Sequence, residues 1–323
     1  MSERDRTLDR VRGYAMILMV FGHCGLPYIL RNPIYSFHMP LFFFITGWFF
    51  KTKPIPVVTK TLWRKVLIPF FFVNIITAVY CTIRDFDIPL VYKSLILVKT
   101  SRPIIGGGNW LPGIGPQWFL LAYFFAYTYL YVVFGIIRSQ IKRSIVFVIT
   151  FLLCDIVARF WGLLPFAIMQ GMSASIFIYI GYLMRNEKVW TYVLRKQHLR
   201  IGLCIWIICA GIGFLSMASI YNKLSLFQIV GALYGTIFFI WLIRKLPVCG
   251  LIEDMGRDSL IVLCIHSLDI RVSSELIELL FPNYLSENFV IIFLGKITFV
   301  VIAYLIFRYL RSCNITRLFL SKQ

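Results

Sequence analysis

The sequence predicts an all-α integral membrane protein of about ten transmembrane helices, one domain over residues 1–323, with both termini cytoplasmic. Three observations lead there. Of 323 residues, 59% are apolar and only 15% charged, where a soluble domain carries roughly 25% charged residues; the mean hydropathy is +0.81. A chain this poor in charge cannot cover its own surface in water, so lipid is part of its solvent. Apolar runs of membrane-crossing length recur along it, since about 20 apolar residues span a bilayer core. Finally, Lys and Arg cluster in alternate connections between those runs.

In chain order the runs cover about 11–31, 36–50, 64–82, 118–137, 144–163, 166–184, 200–220, 224–243, 258–280 and 289–310. The first follows Arg4, Arg6, Arg10 and Arg12, as a signal peptide would. No small-residue cleavage site follows, so it reads as an uncleaved helix. The second is short, and His38-Met39-Pro40 at its start predicts a broken or tilted entry. The ninth is the most polar. Between the third and fourth lies the longest connection, 83–117, with a Gly/Pro-rich stretch from Pro103 to Pro116. No internal repeat is visible.

Placing the N-terminus in the cytoplasm puts 24 Lys and Arg on that side and six on the other, which satisfies the positive-inside rule for an even number of spans. The formal net charge of +19 is therefore distributed for topology and anionic headgroups rather than for nucleic acid. A basic pocket on that side also suits a phosphorylated cosubstrate. The eight cysteines lie almost entirely within apolar runs, with no CxxC or Cys/His spacing, which argues against a zinc or disulfide framework and predicts no metal.

Ionisable groups at membrane depth are functional candidates. His23 lies well along the first apolar run and Arg12 at its mouth. Eleven helical residues return to nearly the same face, about 16 Å further on, so the two side chains share one wall. A guanidinium at the mouth suits phosphate, and a neutral imidazole deeper down suits proton transfer. The alternative is a positive-inside anchor and a histidine hydrogen-bonded between helices.

The stretch from Leu8-Asp9-Arg10-Val11-Arg12-Gly13 to Phe21-Gly22-His23 resembles the opening helix of the acyltransferase 3 family, whose signature is an Arg, ten residues and a His. Phe37-His38-Met39-Pro40 through Thr46-Gly47 resembles its fucose 4-O-acetylase-like branch. Arg64-Lys65 before Ile68-Pro69, Gln117-Trp118-Phe119, and Ser259-Leu260 through His266 extend the likeness in order along the chain. The resemblance implies transfer of an acetyl group from acetyl-CoA, a cosubstrate rather than a resident cofactor, to a hydroxyl of a carbohydrate: capsule, O-antigen, exopolysaccharide or a lipid-linked precursor. It implies a bacterial inner-membrane location, His23 as the base, and Arg12, Arg64, Lys65 and Lys60 facing the donor's phosphates. Two departures stand out: Lys60 and Lys65 flank Arg64 where two arginines are usual, and Ser267 follows His266 where a proline is common.

Other residues take secondary places. His38 is a second catalytic candidate, orienting His23 or meeting the acceptor, against a plain interfacial role. His266, Trp118 and Asp269 are candidates on the acceptor side, Trp118 and Trp110 as stacking faces for a sugar. Asp155 and Arg159, four apart, are expected to neutralise each other. Lys296 is expected to pair within the polar ninth segment, which holds Asp269, Arg271 and Glu275. Gly106-Gly107-Gly108 lacks the following Lys-Ser/Thr of a phosphate loop. Cys24 adjoins His23, but neighbours on a helix point about 100° apart, which favours direct attack by the acceptor over a covalent relay. The rival function is a transporter or flippase for a lipid-linked saccharide, for which inverted repeats would be the sign.

Overall fold

The computed structural model describes residues 6–85, 117–213, 217–220, 225–268 and 288–313. Among them the chain is helical with no β-strand. In order the helices are α1 (Arg6–Gly22), α2 (Tyr28–Trp48), α3 (Ile55–Leu62), a π-helical turn (Trp63–Leu67) and α4 (Ile68–Asp85). Then come α5 (Trp118–Ile136), α6 (Gln140–Phe160), α7 (Ile168–Met184), α8 (Glu187–Val193), α9 (Lys196–Ile212), α10 (Ser225–Ile243), α11 (Gly250–Arg257), α12 (Ser259–Leu268) and α13 (Phe289–Ser312). By length and composition, four described helices qualify outright as membrane spans: Trp118–Ile136, Pro165–Met184, Leu226–Ile243 and Phe289–Ser312.

The outside of the bundle is apolar where a soluble protein would be charged. On α6, Ile141, Ile145, Ile149, Leu153, Ile156 and Phe160 all face outward, spaced three or four residues apart. That continuous stripe requires lipid against it.

Two boundaries differ from the sequence reading. The first two runs meet at a turn over 23–27, because Gly25 takes φ +72° and Pro27 follows, a usual helix stop. His23 therefore sits in the closing turn of α1, its N–H bonded to the Val20 carbonyl at 3.1 Å. The second helix begins at Tyr28 and passes through both Pro33 and Pro40, so His38-Met39-Pro40 is helix interior and not a broken entry. Each proline removes one i→i−4 bond, which membrane helices tolerate when neighbouring groups compensate. The ninth run starts at Asp258, the turn that separates α11 from α12, and its residues past 268 lie outside the described ones.

Packing is closest where glycines meet backbone. A Cβ on Gly13 would stand 2.0 Å from the Ile252 carbonyl oxygen, and one on Gly256 would stand 1.7 Å from that of Asp9. These two positions let α1 and α11 cross with backbones in contact, the small-residue packing usual between membrane helices. Gly47 and Gly181 do the same for α2 and α7. The buried core runs through α2, α5 and α7, with Phe43, Phe44, Leu120, Ala126 and Phe177 fully enclosed.

Candidate active site

A cavity of about 1020 Å³ opens between α1, α2, the α3–α4 segment, α5, α11–α12 and α13. Each wall comes from one stripe of a helix. On α1 it is Arg12, Met16 and Met19; on α2, Met39, Phe42 and Thr46; on α5, Phe119 and Tyr123. Those spacings of three, four and seven residues are one helical face.

The α3–α4 wall has a different period. Pro56-Val57, Lys60-Thr61, Arg64-Lys65 and Ile68-Pro69 all line the cavity, pairs that recur every four residues. On a straight α-helix of 3.6 residues per turn, such pairs drift around the axis. The π turn over Trp63–Leu67 takes up extra residues and keeps them on one face, a feature often found at functional sites. The linker before α3 is anchored: Arg185 Nη1 donates to the Phe50 carbonyl at 2.9 Å, and the Lys53 N–H donates to the Tyr131 hydroxyl.

The sequence-predicted donor residues thus converge. Arg12, Lys60, Arg64 and Lys65 share the cavity, and Arg257 and Arg311 join them from α11 and α13. Among the described residues, six cations face one acid there, Asp258. Arg12 reaches Asp9 at 3.6 Å and lies over the Phe49 ring, 5.4 Å from its centroid. Asp258 accepts from the Tyr304 hydroxyl at 3.1 Å and pairs with Arg311 at 3.6 Å, which ties α13 to the α11–α12 break. In the sequence, Arg257 and Arg311 are two of the 24 cations expected on the cytoplasmic side and carry no motif. Their place at helix ends is the one signal they carry, and every loop cation shares it.

Deeper in, the lining turns apolar and ends at Met19, Met39 and Leu263. The histidines lie just beyond that end. His23 is four residues past Met19, His266 three past Leu263, and His38 adjoins Met39. None of the three lines the cavity itself. His23 Nδ1 is 2.8 Å from the Met19 carbonyl and 3.4 Å from His266 Nε2, with the two rings 5.0 Å apart, edge to face. A carbonyl only accepts, so Nδ1 carries the proton and donates it to Met19, leaving Nε2 of the neutral ring with its lone pair.

His38 is held likewise, Nδ1 donating to the Ile34 carbonyl at 2.9 Å. Tyr35 stands between His23 and His38, at ring distances of 6.0 and 5.0 Å, and its hydroxyl donates to the Gly22 carbonyl at 3.2 Å. His38 and His266 are 2% and 0% exposed, while His23 keeps partial exposure. Lys296 is buried on α13, 3% exposed.

Other candidates fall elsewhere. Trp118 opens α5 but lies off the cavity, which takes Phe119 instead. Asp269, the acids and Arg271 of the ninth run, Trp110 and the glycine triplet lie outside the described residues. Asp155 and Arg159 form the expected pair at 2.8 Å. The Cys24 thiol donates to the Val20 carbonyl at 3.2 Å, back along its own helix.

A multi-pass helical membrane protein with a cation-rimmed internal chamber is the class that fold and site define. Within that class the chain belongs to the acyltransferase 3 family, described as an acyltransferase domain, which it matches over residues 5–308. It is thus a membrane acyltransferase by family. No curated protein and no solved structure shows a significant match to it.

Proposed function

We propose that this protein is an O-acetyltransferase of the bacterial inner membrane, taking acetyl groups from cytoplasmic acetyl-CoA. The acceptor is a hydroxyl of a carbohydrate: capsule, O-antigen, exopolysaccharide or a lipid-linked precursor. One observation carries the reading. Among the described residues, one chamber has six cations at its mouth and ends, past an apolar throat, one helical turn short of paired histidines.

The chemistry follows from those parts. A coenzyme A thioester carries three phosphate groups, and Arg12, Lys60, Arg64, Lys65, Arg257 and Arg311 supply charge-assisted donors for them. The apolar throat suits the pantetheine arm. With Nδ1 committed to the Met19 carbonyl, His23 Nε2 takes the proton of the acceptor hydroxyl as its oxygen attacks the thioester carbon. The carbon–sulfur bond breaks, and the proton leaves with the thiolate as free coenzyme A. His266 and Tyr35 pack against the His23 ring, at centroid distances of 5.0 and 6.0 Å, and orientation of this kind sustains a general base.

The test is transfer of radiolabel from acetyl-CoA to glycan in membrane vesicles with and without the chain. Label that depends on the chain supports the enzyme. Chain-dependent movement of a lipid-linked saccharide across the vesicle wall, with no acetyl transfer, would instead establish the flippase reading. Mass spectrometry of surface glycan from cells with and without the gene then identifies the modified sugar.

A further inference from the structure

We infer that Met19 and Met39 form a thioether gate between the donor chamber and the histidines, and that this gate sets which acyl chains are accepted. The inference rests on the acetyltransferase reading above.

Three facts place the gate. Met19 is the cavity-lining residue of α1 furthest from Arg12, and Met39 is the α2 residue at the same end, with Leu263 completing the closure from α12. Met19 and Met39 are 2% and 9% exposed, so both are packed side chains that any group moving past that end has to displace. Beyond them the space is taken by aromatic rings, His23, His266, Tyr35 and His38, with centroids 5.0 to 6.0 Å apart. A thioester whose carbonyl carbon reaches His23 must therefore pass between the two methionines, across the roughly 6 Å that four helical residues span.

Methionine suits that position. Its unbranched side chain turns about three bonds and fills irregular space, so it swings aside for a small group and closes behind it. Closure also keeps water from the thioester. The rings ahead are fixed by hydrogen bonds to Met19, Ile34 and Gly22 carbonyls, so a longer acyl chain cannot extend forward without displacing them. It has to fold back onto Met19 and Met39. The gate thus passes acetyl and rejects chains that need the methionines' own volume.

The test uses the full chain in native membrane vesicles and reads free-thiol release from acetyl-, butanoyl- and hexanoyl-CoA. Each added methylene in a filled apolar site is discriminated by about 10-fold or more. Butanoyl carries two methylenes more than acetyl, so the wild-type chain should prefer acetyl over butanoyl by at least about 100-fold. Met19→Ala and Met39→Ala each remove three heavy atoms and should narrow that preference to less than about 10-fold. Met19→Leu and Met39→Leu, which conserve volume, should retain it. Should an alanine variant fail to accumulate, Met→Val at the same position moves the preference in the same direction by a smaller step. Alanine variants that turn over acetyl-CoA with the wild-type chain-length preference overturn the gate. A wild-type chain indifferent to chain length overturns it too, and leaves the transferase reading standing. A wild-type chain that releases thiol from none of the three thioesters refutes that reading and the gate with it.

Discussion

Gly256→Ala probes how the chamber is assembled. The added Cβ would sit 1.7 Å from the Asp9 carbonyl oxygen, whereas ordinary contact begins at 3.4 Å. The atom it meets is backbone, which cannot rotate away, so α1 and α11 must part by about 1.7 Å. Overpacking of this kind costs about 1–3 kcal/mol, and a backbone clash belongs at the upper end. At roughly 2–4 °C per kcal/mol for a chain of this size, the melting temperature should fall by about 5–10 °C. Arg12 and Arg257 stand on the two separated helices and line the same chamber. Moving one from a shared phosphate removes a charge-assisted bond of about 1.5–3 kcal/mol, so the KM for acetyl-CoA should rise by about 10-fold or more. Gly250→Ala is the control on the same helix, since its Cβ would meet nothing within 4 Å. Thermal unfolding in detergent and acetyl-CoA titration read both effects. A Gly256→Ala protein as stable as the wild type, or a Gly250→Ala protein equally impaired, would refute the argument.

Arg12→Ala and Arg64→Ala should each raise the KM for acetyl-CoA by about 10- to 100-fold, the loss of one charge-assisted phosphate contact, while the KM for the glycan acceptor holds; equal effects on both substrates would contradict the placement of the donor. Arg159→Ala removes the 2.8 Å bond to Asp155, away from the chamber. It should cost about 1–3 kcal/mol of stability and leave activity per folded molecule unchanged, so a fall in turnover at constant folded protein would tie this pair to the site. Tyr304→Phe deletes the hydroxyl that bonds Asp258 and should lower stability by about 1 kcal/mol in thermal unfolding; no change would mean that Arg311 alone holds that joint.

The sequence made the helical segments readable because lipid demands long apolar runs, and α5, α10 and α13 begin and end within two or three residues of their predicted bounds. Boundaries set by local geometry were harder. Gly25 and Pro27 end α1 inside an unbroken apolar run, where composition gives no warning, and Pro40 reads as a break although α2 passes through it. Arg12 and His23 could be placed on one stripe, because eleven residues is a helical repeat. In the structure Arg12 lines the chamber, while His23 lies beyond its inner end, in the turn that closes α1 and in ring contact with His266.

Convergence from distant segments was not readable. Arg257 and Arg311 come from helices some 250 and 300 residues along the chain, and topology already accounted for both charges. The π turn that aligns Lys60, Arg64 and Lys65 leaves no compositional mark. Nor do Met19 and Met39 differ, as letters, from the other apolar residues of their helices. Their place at the inner end of the chamber depends on which helices meet there.

The account turns on His23 as the base that activates the acceptor. Vesicles containing His23→Ala, matched to the wild type for inserted protein, should be assayed for transfer of label from acetyl-CoA to glycan. General-base catalysis contributes about 10²–10⁴-fold, so incorporation should drop at least 100-fold while acetyl-CoA still binds. Incorporation within a few-fold of wild type would contradict the mechanism, whatever the chamber holds.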